Sequence, residues 1–211
     1  MTTRSYDNLF VDTRDIVEDY GTLAASQTLT RGCVLGKITV AAGTPVNTGT
    51  GDGAATWALS ATGGPAKIGN YLATCVAAAS NAGTFHLYDP EGVFVGVVTV
   101  AATAFVGGGV SLSIADDTDF IVGDYITLPI TAGSGQLVAC DIALTNGAKV
   151  PWGVLLADCT VASGATAGAP VARTGRFNSG ELTFGGSTVV ANVLTAMEAR
   201  MMFPVTVSEE L

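Results

Sequence analysis

The sequence predicts a mainly-β protein of two modules with a single helix near its C-terminus. Three observations lead there. Ala, Gly, Thr and Val dominate a chain of 211 residues with 27 glycines, while the long helix formers are sparse, a bias toward short strands and tight turns. Several short segments alternate apolar and polar residues between turn signals. Only one segment, beginning at Ser187, keeps a helical period.

The opening SYDNLFVDTRDIVEDYGTL mixes Tyr6, Phe10, Arg14 and Ile16 with Asp15, Glu18 and Asp19 and shows no sustained period. Residues 1–20 suit an arm that orders against another surface, or alternatively an edge strand of the same domain. LTRGCVLGKITVA reads as two strands broken at Gly36, and residues 41–57 as a turn-rich bridge between modules. From Trp57 to Ile130 short strands follow one another. DPEG at 89–92 has the residues of a β-turn. VSLSI at 110–114 and YITLPI at 125–130 alternate cleanly, as strands with one buried face do. This part predicts a small β-sandwich-like module over 51–132.

The chain then returns through LVACDIAL, PWGVLLADCTV (apolar enough for one central strand) and PVARTGRF, ending in an NSGEL turn. In the helix, Ser187 or Thr188 is the expected cap, with Val190, Leu194, Met197 and Met201 as the apolar stripe and Pro204 as the stop. Residues 1–50 and 133–211 thus form a discontinuous base.

Composition excludes several functions. Nine basic residues scattered among 18 acidic ones, net −9, cannot form the concentrated patch that nucleic-acid binding needs. Residues 51–132 hold seven of the acids against Lys67 alone, which marks this module as the outward, solvated part. Only 13% of residues are charged and mean hydropathy is +0.47. An assembly that hides surface explains this better than a tightly packed all-β monomer. The uncharged stretch from Gly92 to Ala115 is long enough to span a bilayer, but its glycines and β-branched residues predict two strands. The N-terminus has no apolar signal core.

No catalytic, cofactor or metal site is predicted. His86, the one histidine, sits in an alternating strand with no placed partner. Asp116, Asp117, Asp119 and Asp124 could offer oxygens to calcium, but their spacing misses the EF-hand pattern and a solvated loop is preferred. Cys33, Cys75, Cys140 and Cys159 form no CxxC pair and read as buried free thiols of a reducing compartment. The glycine-rich GGGVSLS and GTGDGAA precede no helix and read as turns.

Two stretches carry a resemblance: YGTLAASQTLTRGCVLGKITV, and PWGVLLADCTVASGATAGAPVARTGRFNSGELTF followed by the Ser187 helix. Leu155, Leu156 and Asp158, then Pro170, Val171, Arg173 and Gly175, fall in the order found in the bacteriophage lambda head decoration protein D family, which the chain resembles. Arg176 departs from the family, which more often has Glu there. The resemblance implies a small β-barrel, β-tulip-like base with a β-rich insert. It also implies a homotrimer on the outside of a phage head at threefold positions, contacting the major capsid protein and cementing the expanded shell against packaged DNA. The protein would be found on the virion surface, and in the host cytoplasm during assembly. Tyr6, Phe10, Arg14 and Ile16 become candidates for a capsid-binding arm by strand addition, and Arg173, Arg176 and Glu181 for inter-subunit contacts. Arg173 and Arg176 are expected on opposite faces of one strand, one of them ion-paired, with Glu181 as a nearby partner. The alternative is a carbohydrate- or cell-surface-binding module displayed on a virion. There the insert would contact glycans through Trp57, Tyr71 and Tyr88, provided these rings are exposed together.

Overall fold

In a computed structural model describing residues 8–12, 14–51, 55–80, 82–100, 103–115 and 119–207, the chain is mainly β with one helix near its C-terminus. The strands are β1 (Phe10–Asp12), β2 (Glu18–Leu23), β3 (Gln27–Leu29), β4 (Val34–Lys37), β5 (Val40–Ala42), β6 (Val46–Thr48), β7 (Ala55–Leu59), β8 (Gly69–Ala79), β9 (Ala82–Tyr88) and β10 (Phe94–Thr99). They continue as β11 (Phe105–Gly107), β12 (Val110–Ile114), β13 (Tyr125–Ala132), β14 (Leu137–Ala139), β15 (Pro151–Leu155), β16 (Cys159–Val161), β17 (Ala167–Ala172) and β18 (Gly175–Asn178). A 3-10 turn at Ser179–Glu181, helix α1 (Val190–Glu198) and β19 (Met202–Val205) complete the chain. Two compact units result: Met1–Ile38 with Gly135–Leu211 (unit 1), and Thr39–Ser134 (unit 2).

In unit 1 the strands β14-β2-β17-β15-β4 close into a barrel, filled by Leu23, Leu35, Leu137, Leu155 and Val171. β4 runs through Gly36, where the sequence predicts a break. Gly36 pairs with Val138 on one side and Pro151 on the other, and a Cβ there would collide with the backbone of Ala148. The glycine is required by close packing, not by a turn. PWGVLLADCTV, expected as one strand, divides at Leu156–Asp158 into β15 and β16. The Arg31 N–H donates to Asp158 Oδ1 at 2.7 Å, fastening the division.

A second apolar cluster joins the β1-β18-β19 sheet to α1 through Leu9, Phe177, Val193, Met197 and Met202. The buried stripe of α1 is Val193 and Met197, with Val190 packed alongside. Leu194 lies at the surface, and Met201, at φ 59°, has left the helix and is exposed. The periodic pattern extends one turn too far, because the chain reverses at Met201 to enter β19. Neither predicted cap serves. The Val189 N–H donates to Asn192 Oδ1 at 2.9 Å, while Thr188 Oγ1 accepts from the Ile142 N–H and reaches Asp141.

Unit 2 packs a six-stranded sheet, β10-β9-β8-β13-β5 with β6 also on β13, against the three-stranded β11-β12-β7. The core comes from the inward side chains of the alternating strands: Tyr71, Phe85, Leu87, Leu112, Ile126 and Leu128. The apolar stretch 92–115 forms β10, β11 and β12, and among the described residues no helix is long and apolar enough to cross a membrane. The bridge 41–57 is not only turns, since it supplies β5 and β6 to the edge of β13.

Asp124, a candidate calcium ligand by sequence, is a buried hub of unit 2. Burial opposes its ionisation, but N–H groups of Ile121, Gly51 and Thr50 donate to it at 3.0, 2.9 and 3.0 Å and hold its carboxyl below the usual range. Gly49, at φ 132°, lies where a Cβ would strike this carboxylate. At the β9–β10 turn Lys67 Nζ meets Asp89 at 2.6 Å and Glu91 at 2.5 Å. The Lys67 hydrogen bond, first of all, lowers the Asp89 pKa.

Gly36→Ala should cost about 2 kcal/mol or more, because backbone must move to admit the methyl group; chemical denaturation of unit 1 measures it. Ionised Asp124 stabilises the fold above the ordinary aspartate pKa, about 3.9, and that contribution is lost as pH falls through the lowered folded value. Asp124→Asn should therefore lower the melting temperature at pH 7, with the deficit shrinking below about pH 4.

Candidate functional site

The start of the described chain is fastened to unit 1. Leu9 is buried, the Asn178 N–H donates to its carbonyl at 2.8 Å, and Phe10 packs 5.3 Å from the Phe177 ring. Thr174 Oγ1 donates to the Asp15 carbonyl at 2.6 Å and accepts from the Val17 N–H at 3.0 Å. Ile16 packs on the same cluster as Phe10. Both are half-buried on the chain's own base, as the edge-strand alternative expects of them. Tyr6 lies outside the described residues. Arg14 points into solvent and pairs with Asp12 at 2.9 Å, and its hydrogen bond lowers the Asp12 pKa.

Beside this anchored segment is an open cleft of about 800 Å³, lined by Asp12, Arg14, Asp15, Val17, Arg176, Met201 and Phe203 among others. Val17, Met201 and Phe203 are 55%, 65% and 43% exposed. Such exposure of large apolar groups beside charged ones marks a surface suited to a partner.

The two arginines are separated by a strand break rather than by alternation along one strand. β17 ends at Ala172 in the barrel, and β18 begins at Gly175, φ 142°, in the other sheet. Arg173 stacks over Trp152, 3.7 Å from the ring centroid, donates Nε to the Trp152 carbonyl at 2.8 Å, and reaches Asp19 at 3.3 Å. Its ion pair is with Asp19, not Glu181. Arg176 is exposed on β18 opposite Asp12, and Glu181 is exposed in the 3-10 turn. Neither Asp19 nor Trp152 stands out in the sequence as a partner of Arg173, because both lie far away along the chain.

Among the described residues no three His, Cys, Asp or Glu side chains gather as a metal site. Asp116 and Asp117 lie outside the described residues, and Asp119 accepts from Ser80 Oγ at 3.0 Å. The four cysteines are free; burial pushes the Cys33 and Cys75 thiols up, and Cys140 up to about 12, so these three stay protonated. Trp57 and Tyr71 are not exposed together. Tyr71 is fully buried with its hydroxyl donating to the Gly108 carbonyl, and Trp57 packs on the core with Nε1 on the Gly43 carbonyl. Tyr88 and His86 are half-buried and join the exposed Phe94, with ring centroids 5.2 to 6.4 Å apart.

Arg173→Ala should lower the stability of unit 1 chiefly through the lost Trp152 stacking. A double-mutant cycle with Asp19→Ala should assign under about 1 kcal/mol to the half-exposed ion pair.

No curated protein matches the sequence. Two crystal structures of Xanthomonas campestris FlgL match at TM-scores of 0.34 and 0.33, with 21% and 19% identity over 49% and 50% of this chain. The match spans 32% of each FlgL chain, and likeness at that level settles neither fold nor function. The family model for bacteriophage lambda head decoration protein D matches residues 1–200. Spanning both units, that match shows that the chain belongs to the bacteriophage lambda head decoration protein D family.

Proposed function

We propose that the chain binds the outer surface of an expanded phage head as a homotrimer at threefold positions and stabilises the shell against packaged DNA, making and breaking no covalent bond. The family match over residues 1–200 carries this reading. The cleft beside β1, β18 and β19 supports it: exposed Val17, Met201 and Phe203 offer apolar area, while Arg14 and Arg176 offer charge. Phe10 and Ile16 fix this surface from behind, and residues 1–7 reach the capsid. Arg176 and Glu181, both exposed, are the inter-subunit contacts. Binding strength comes from weak contacts repeated by symmetry. Unit 2, rich in carboxylates, faces solvent. A glycan contact by unit 2 is a second activity, favoured by the ring cluster of His86, Tyr88 and Phe94.

Purified protein mixed with expanded and unexpanded heads tests the first reading. Saturable binding to expanded heads only is expected, abolished by removing residues 1–7 and weakened at least tenfold by Phe203→Asp. Deletion through residue 20 is a poor test, since it takes Leu9, Phe10 and half of β2 from the folded base. Equal binding by the seven-residue truncation refutes the arm, and failure to bind any head refutes decoration.

A further inference from the structure

The register of the six-stranded sheet aligns its outward side chains in rows. One row crosses Tyr125, Thr74, His86 and Val97. The next crosses Thr127, Leu72, Tyr88 and Phe94. No carboxylate, ammonium or guanidinium interrupts either row, although residues 51–132 carry net charge −6. The acidic side chains described nearby, Asp89, Glu91, Asp119 and Asp124, belong to turns and loops between strands. Phe94, Val97, Tyr125 and Leu72 remain 51%, 48%, 38% and 37% exposed.

We propose that this face binds a neutral polysaccharide, with Tyr88, Phe94 and His86 as the stacking platform. The chemistry selects the ligand. A hexose presents an apolar C–H face and a rim of hydroxyl groups, matching rows that carry aromatic rings together with Thr74 and Thr127. The three rings meet edge to face, at interplanar angles of 62° to 69°. In such a pair the ring that presents its edge keeps both of its faces clear of that partner. Charge decides against a polyanion and against a second copy of this face. A polyanion is repelled by a unit of net −6, and a second copy of the same face brings an equal negative charge with it. A neutral ligand meets neither penalty, and it loses no ion hydration at a face that has no ion to offer.

This proposal deepens the glycan reading of unit 2 and is independent of head binding, so either can fail alone. Electrophoresis of the full chain through gels containing dextran, a soluble β-glucan or galactomannan tests it, with polygalacturonate as the charged control. At least one neutral polymer should retard the protein and polygalacturonate should not. Tyr88→Ala and Phe94→Ala should each weaken retardation at least tenfold, Tyr88→Phe should keep it, and melting curves should show all three folded. Should the alanine variants fail to fold, Leu72→Asp, at an exposed position in the same row, should abolish retardation instead. The proposal is overturned if no neutral polymer retards the protein or if polygalacturonate retards it equally. Retardation that survives in the folded variants, or a dimer lost in Phe94→Ala without any sugar binding, overturns it as well.

Discussion

Closure of the barrel depends on an absent side chain. At Gly36 the strand β4 is paired on both edges while the backbone around Ala148 presses on it from above. Three backbones meet there, and no rotamer adjustment can make room, because the clashing atoms are main chain. Both apolar clusters of unit 1 take a residue from this strand. Val34 and Leu35, just before the glycine, point into the two separate clusters that join the helix and fill the barrel. Displacing β4 would disturb both at once.

The same contact shows how far a sequence can be read. Gly36 is visible as a glycine, but a break and a close approach look alike in one dimension. Strands that declare themselves by alternation, β12 and β13, were legible, as was the DPEG turn, where the Gly92 N–H donates to the Asp89 carbonyl at 2.9 Å. β6 was not, because its three exposed residues sit in a turn-rich stretch and their order comes from β13, distant in sequence. The helix was legible in type but not in extent: nothing local announces the left-handed backbone at Met201.

The candidate surfaces obey the same rule. Apolar residues near the start do need a partner, and the partner of Phe10 and Ile16 is the chain's own base. Tyr71 and Leu72 are adjacent and both large, so the pattern could not say which faces inward. The hydroxyl of Tyr71 donates to the Gly108 carbonyl and also accepts from the Lys67 N–H, so its oxygen is satisfied where it is buried. Leu72 is left outside beside Tyr88. The outward face therefore became apparent only once register had placed four strands side by side.

The chain leaves unit 1 and re-enters it at one place. Ile38 and Gly135 are joined by a hydrogen bond of 3.0 Å, and Leu137 pairs with Lys37. Exit and return points are therefore neighbours on adjacent strands, about 5 Å apart by the geometry of any ladder. Whatever occupies the gap costs little closure entropy if its own ends already meet. The base is in effect a socket, open to exchange of one cassette for another while its barrel stays untouched.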